Sequence, residues 1–320
     1  MLMLLGGCSL DPLNGRLTTP EPDSPTYQPV SPNAENAAHD DMTVNLYFEF
    51  QQSGMLSTES RVVETTTDER REKAVIEELI SGPSAQSSEL TSIISPEVTV
   101  ISVTDSDGVL MVTLSGDFLD APDDAPTDWQ SDSYWAEEVP RRRYLALQSI
   151  VCAITDLGEY DAVQIMIDRD GDHVGERVER SYFYYDAAAS DTALMDVTYR
   201  DESLVLTPRN TVSMALNYVQ LKDWEGLYAL LAQSDVNGDR PAYDSFSSDM
   251  RARAYTLTQY QVGDAMVSGD GCTATVCVDA QFSFRDSNAR DVGAFPLRLV
   301  REGEVWKVTY ASLNGLLEGF

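Results

Sequence analysis

Tyr144-Leu-Ala-Leu-Gln-Ser-Ile-Val-Cys-Ala-Ile-Thr-Asp-Leu-Gly158 and, five residues on, Val163-Gln-Ile-Met-Ile167 decide how the first half of this chain folds. Tyr144, Leu147, Val151 and Ile154 recur at i, i+3, i+7 and i+10, one face of a helix. The spacing predicts a helix from about Pro140 to Leu157, ended by Gly158, with a strand after it. Upstream, Val44, Leu46, Phe48 and Phe50 alternate with Asn45, Tyr47 and Glu49, which predicts a strand with one buried face. Val62-Val63 follows in a second strand, beyond a turn near Ser53-Gly54. Thr66 and Glu69 stand at capping-box spacing, Val75, Ile76, Leu79 and Ile80 share a face, and Ser81-Gly82-Pro83 ends that helix. Strands around Val98 and Val100 and over Leu110, Val112 and Leu114 flank an Asp107-Gly108 turn. In order this is ββαββαβ, an α+β layer with both helices on one face of a small sheet.

The second half reads as helices first and sheet afterwards. Thr207-Pro208 offers an N-cap and N1 pair to a helix with Val212, Ala215, Leu216 and Val219 inward. Asp223 caps the next helix, with Trp224, Leu227, Tyr228 and Leu231 on one side. Ala274, Val276, Val278, Ala280, Phe282 and Phe284 then alternate with polar residues, and Phe295, Leu297 and Leu299 do likewise. Glu302-Gly303 turns into Val305-Trp306-Lys307-Val308. The pattern predicts an α+β cone over residues 207–320, joined to a first domain over 42–180 by a connector, 181–206, that has room for one strand.

Two resemblances sit on these residues. Glu72-Lys-Ala-Val-Ile-Glu-Glu-Leu-Ile-Ser-Gly-Pro83, Gly108-Val-Leu-Met-Val-Thr-Leu-Ser-Gly-Asp-Phe118, Gln148 to Leu157 and Val163 to Ile167 together resemble the GerM domain. That family occurs in lipoproteins of spore-forming bacteria and is related to ring-building domains of secretion and sporulation channels. The resemblance implies a non-catalytic assembly or scaffold role linked to sporulation or germination, with protein partners and no cofactor. The chain departs from the family in its long Asp-rich insertion between Phe118 and Arg141. Val212 to Tyr228, with Lys222-Asp223-Trp224, and the closing Leu299-Val-Arg-Glu-Gly-Glu-Val-Trp-Lys-Val308 hairpin resemble the nuclear transport factor two-like fold. Its members use the hollow between helices and sheet as an active site or as a plain binding cavity. Fold alone does not choose between them.

Charge narrows the partners. Of 320 residues, 22 are Lys or Arg and 53 are Asp or Glu, for a net charge of −31. A nucleic-acid binder needs a cationic surface, and so does a protein held on anionic lipid by basic residues, so neither is expected. The 42% of hydrophobic residues still suffices for real cores. At the start, Leu5-Gly-Gly-Cys8 resembles a lipobox, making residues 1–8 a truncated lipoprotein signal and Cys8 the acceptor of a lipid anchor. The charged region and most of the apolar region of such a signal are missing. Residues 9–41, with Pro12, Pro20, Pro22, Pro25, Pro29 and Pro32 among polar neighbours, are expected to be a disordered tether. The expected location is therefore the extracytoplasmic face of the cell membrane.

Candidate sites are few. With only His39 and His173 in the chain, and none in the second domain, histidine-based catalysis has little material, and no enzyme is expected. Asp168, Asp170, Asp172 and Glu179 fill positions 1, 3, 5 and 12 of a calcium loop. His173 stands where that loop needs glycine and Gly175 where it needs an apolar residue, so an Asp-Gly turn without metal is expected. Asp117, Asp120, Asp123, Asp124 and Asp128 read as part of a solvated, mobile loop running to Glu138. Arg141-Arg142-Arg143, placed by the helix prediction at an N-terminus that disfavours cations, is the candidate partner-binding patch. Its acidic counterpart is either that loop or another protein. On the first helix Glu72, Glu77 and Glu78 are expected on the exposed side. Cys152 reads as a small core residue, and Cys272 and Cys277, on one strand, as an unbridged pair. The alternative to assembly is a small ligand held in the cone.

Overall fold

The computed structural model describes residues 39–66, 69–185, 192–284 and 287–318. Cys8 and the expected tether up to residue 38 lie outside the described residues. Strand β1 (His39–Phe50) pairs antiparallel with β2 (Leu56–Thr66), so residues 39–41 of the expected tether are strand instead. Helix α1 (Arg71–Ser81) follows, then the two-residue β3 (Leu90–Thr91) on the other side of β1. Strands β4 (Val100–Ser106) and β5 (Val109–Ser115) are joined by Asp107 and Gly108, whose φ values of 51° and 78° suit a tight hairpin turn. Helix α2 (Trp135–Thr155) leads to β6 (Ala162–Asp168), parallel to β5, and β7 (Thr198–Tyr199) adds the connector's strand to β6.

The first half thus holds two sheets, β2-β1-β3 and β4-β5-β6-β7, where one had been expected. Helix α1 contacts β1, β2 and β4, and α2 contacts β1 and β6, so both helices touch both sheets. That is why α2 is buried continuously from Leu145 to Ile154 and not along one stripe. The same covering buries Tyr47 and Glu49, which alternation had placed on an open face of β1.

Two helix starts also differ. Thr66 is still paired in β2, so no capping box forms, and α1 begins at Arg71 without a side-chain cap. Glu72 turns inward, 4% exposed, and accepts from the Tyr160 hydroxyl at 2.6 Å. Helix α2 starts a turn before Pro140, because Asp132 Oδ1 accepts from the backbone N–H groups of Tyr134 and Trp135. Pro140 is the sixth residue of α2 and cannot donate to Ala136 O, so the helix runs through one missing backbone hydrogen bond there.

In the second half come α3 (Pro208–Leu221), α4 (Trp224–Ala229), β8 (Ser234–Asp235), β9 (Gly238–Asp239) and α5 (Tyr243–Ala252). Then follow β10 (Tyr255–Val267), β11 (Thr273–Phe284), β12 (Ser287–Glu302), β13 (Val305–Val308) and α6 (Tyr310–Glu318). Strands β10 to β13 form an antiparallel sheet in sequence order, bent by bulges in β10 and β12. Thr207 and Asp223 cap α3 and α4 as expected, accepting from Asn210 N and Gly226 N. Helix α3 packs on β10, β11 and β13, and α6 on β12, which makes the α+β cone.

The two halves share one continuous core. Leu206 N donates to Leu56 O at 2.8 Å, and the expected connector buries Phe183, Met195, Val205 and Leu206. Lys307, 2% exposed, reaches from β13 to Glu89 Oε1 at 2.7 Å and to Ala229 O at 2.6 Å, with its ammonium 4.5 Å from the Phe50 ring centre.

Candidate functional site

The cone is where a ligand or a reaction would be housed, and its sheet wall is built by alternation. Ala274, Val276, Val278, Ala280 and Phe282 of β11 all point in and are at most 5% exposed. Aromatic rings fill much of the interior. Tyr255 meets Phe282 and Phe284 at 5.3 and 5.7 Å between centres, and Phe246 meets Tyr228 and Tyr310 at 5.4 and 6.3 Å. A chamber of about 120 Å³ lies where the ends of α3, α5 and α6 meet the start of β10.

The chamber is amphipathic. Val219, Trp224, Met250 and Leu257 supply apolar wall, and Lys222, Arg251 and Arg253 supply charge. Arg253 is fixed by its neighbours. Its Nη1 donates to the Tyr255 hydroxyl at 2.9 Å, and its Nη2 donates to Asp249 at 2.7 Å and to Asn314 Oδ1 at 2.6 Å. Burial works against its charge, but the Asp249 and Tyr255 contacts outweigh that and raise its pKa. Its buried Nε has no hydrogen-bond partner. Lys222 holds the left-handed C-cap of α3 at φ 60°.

The other sequence candidates fall elsewhere. Arg141, Arg142 and Arg143 are the seventh to ninth residues of α2 and do not lie at its N-terminus, so the expected clash with the helix dipole does not arise. Arg141 and Arg142 both donate to Glu138, and Arg142 also pairs with Asp124 at 2.8 Å. Arg143 is 8% exposed, donates to Leu119 O, and lies over the Trp129 and Tyr182 rings. The acidic stretch read as an irregular loop is held by these arginines and contains 3-10 turns at Gly116–Leu119 and Trp129–Ser131. Of the two counterparts considered for the run, the structure shows the chain's own loop. A groove of about 610 Å³ remains beside it, lined by Glu49, Phe118, Asp123 and Arg142 among others.

Asp168 is 5% exposed and its two oxygens accept from Gly171 N and His173 N, closing the loop on itself. Gly175 is explained by contact: a Cβ there would meet Thr113 at 2.6 Å, so the loop lies too close to the sheet for any side chain. Asp170 and Asp172 are exposed, and among the described residues no cluster of metal-ligating side chains forms. Cys152 is buried, its thiol pushed up to about 12 by burial, while Cys272 lies in the turn before β11 and not on the strand with Cys277. Among the described residues no helix is long and apolar enough to cross a membrane.

Two sheets with helices between them, in the order β1 to β6, occupy the part of the chain that matches a family model. The model is Germane, described as sporulation and spore germination, and the match covers residues 45–170. That stretch is a Germane domain. No curated protein matches the chain. Among solved structures the chain is similar to the tandem GerMN domains of the sporulation protein GerM from Bacillus subtilis, at 14% identity and a TM-score of 0.31. That match covers 54% of this chain and 49% of the other, so the chain spans about half the length of the tandem structure. The second half is similar to an NTF2-like protein of unknown function in nutrient uptake from Rhodospirillum rubrum, at 22% identity and a TM-score of 0.24, over 31% of this chain and 88% of the other. An LEH-like epoxide hydrolase from M. tuberculosis matches at 16% identity and a TM-score of 0.22, over 35% and 90%. Likenesses this distant carry no functional argument. Residues 45–170 thus match a family described as sporulation and spore germination.

Proposed function

We propose that this is a non-catalytic assembly protein of sporulation or spore germination, held at the extracytoplasmic face of the membrane by a lipid on Cys8. The observation behind the assembly role is the packing of the Germane domain onto a cone largely filled by its own rings, with Lys307 bridging the two through Glu89. Such a body is suited to presenting fixed surfaces to protein partners. No histidine lies in the cone, and its chamber offers cations, not an acid–base pair. The anchor reading rests on Leu5-Gly-Gly-Cys8. Two acyl chains on that thiol would give lasting attachment where one would not. Produced in a spore-forming host, the protein is expected to enter the detergent phase, and Cys8→Ser to move it to the aqueous phase and to lower sporulation or germination efficiency. Unchanged partitioning of the variant removes the anchor, and normal spores from a strain lacking the protein remove the role.

A second reading, binding of a small molecule in the cone, is favoured by one feature, the chamber beside Trp224.

A further inference from the structure

The arginine run on α2 is satisfied within the chain, but the carboxylates of the groove beside it are not. That groove, of about 610 Å³, is lined by Glu49, Glu97, Asp117, Asp120 and Asp123 against two cations, Arg142 and Arg143. Both cations are already committed. Arg142 pairs with Glu138 and Asp124, neither of which lines the groove, and Arg143 is 8% exposed and donates to Leu119 O. Among the described residues none of the five groove carboxylates has a basic group within 4.0 Å. Glu49 is the buried one, 8% exposed on β1. Its Oε1 accepts from Gly54 N at 2.8 Å, and its Oε2 has no hydrogen-bond partner among the described residues yet keeps contact with solvent. Burial pushes its pKa up, against the pull of Arg141 and Arg142. A carboxylate held in this way gains from a cation brought to it. Ile93, Pro96 and Pro122 give the groove an apolar wall that suits an alkyl stem.

We propose that this groove docks a short basic segment of a partner protein; the inference rests on the assembly reading and gives it a surface. One lysine or arginine side chain enters with its stem along the apolar wall and its head at Glu49, in the field of Asp120 and Asp123. The volume lies within the range of about 300–1,000 Å³ that holds a drug-sized molecule, which is room for about three residues. An acidic segment is excluded by the same carboxylates, and the net charge of −31 steers basic partners toward the molecule as a whole.

The probes are the tripeptide leucine-lysine-alanine, blocked at both ends, and its counterpart with glutamine for lysine, titrated by calorimetry into the full-length protein at pH 7. The lysine peptide is expected to bind at least about tenfold tighter, with the preference shrinking as salt rises. The double variant Asp120→Asn, Asp123→Asn changes two exposed groove carboxylates that hold no ion pair, so it is expected to melt near the wild-type temperature and to lose most of the preference. Asp170→Asn with Asp264→Asn removes the same two charges from exposed positions outside the groove and is expected to keep it. Equal losses in the two double variants would show that the overall field, and not the groove, holds the peptide, and would overturn the inference. Equal binding of the two peptides, or binding of neither, overturns it as well. In either case the assembly reading stands, since it is tested separately by spores from a strain lacking the protein. A further variant, Glu49→Gln, keeps an acceptor for Gly54 N and removes the buried charge; unaltered affinity for the lysine peptide there would eliminate the role given to Glu49.

Discussion

Glu138 shows how one side chain settles the fate of a basic run. It is 8% exposed and accepts from Arg141 and Arg142 together. Burial raises its pKa, but the hydrogen bonds from both arginines outweigh that and hold the carboxyl below its usual range. A carboxylate depressed in the folded state adds stability above its unfolded value, near pH 4, and loses it as pH falls through the lower folded value. Glu138→Gln is therefore expected to cost about 1–2 kcal/mol at pH 7, discounted for the exposed arginine ends. Urea melts at pH 7 and pH 3 check this, since the gap between wild type and variant should close at the lower pH. A gap that stays constant would show that the bridge contributes nothing. That Arg141–Arg143 forms a cationic cluster is plain in the residue string, but its matching to Glu138 and Asp124 is not, because the partners depend on where α2 begins.

Among the elements, capping separates a motif that formed from one that did not. Thr207 Oγ1 accepts from Asn210 N at 3.2 Å at the start of α3, whereas Thr66 remains in β2 opposite His39 and caps nothing. Thr207→Ala is expected to lose about 1 kcal/mol and Thr66→Ala less than half of that. Chemical denaturation of both variants decides it, and equal losses would mean that the Thr207 bond adds no stability. Both threonines carry good local signals. What differs is that β2 runs three residues beyond Val63, and the sheet keeps Thr66. Strands with one protected face, such as β11, are legible because alternation survives. Strand β10 is not legible in the sequence because only Leu257 of its thirteen residues is buried, nor is α5, because its three buried residues, Phe246, Ser247 and Met250, leave a faint apolar face. Helix α6 is nine residues long and follows β13 after one residue, so no end signal separates it from that strand.

For the whole molecule, Lys307 is the test of how the halves are joined. Its ammonium is buried between Glu89, Ala229 O and Phe50, and burial lowers its pKa. Replacing a buried ion by an apolar side chain is often neutral, while setting like charges together there is severe. Lys307→Met is expected to stay within about 1 kcal/mol of wild type, and Lys307→Glu to lose about 3–5 kcal/mol. Scanning calorimetry should show one transition for wild type and for Lys307→Met, because the core is continuous across the halves. Two well-separated transitions in wild type would refute the joint body. Destabilisation by Met as large as by Glu would refute the account of Lys307.

Periodicity, end signals and turn residues by themselves determined the α+β class, the order of most elements, the Asp107-Gly108 hairpin and the caps at Thr207 and Asp223. All of these depend on contacts between residues near in sequence. The −31 charge likewise follows from composition. The tertiary structure alone decided that two sheets enclose α1 and α2, that Arg141–Arg143 face the chain's own acidic stretch, and that Lys307 joins the halves. It also decided that Lys222, Arg251 and Arg253 come to line one chamber. Each of these depends on groups brought together across 18 to more than 200 residues, as with Asp124 and Arg142 or Glu89 and Lys307. Local pattern is blind to such pairs, since burial and pairing are settled only when the layers pack.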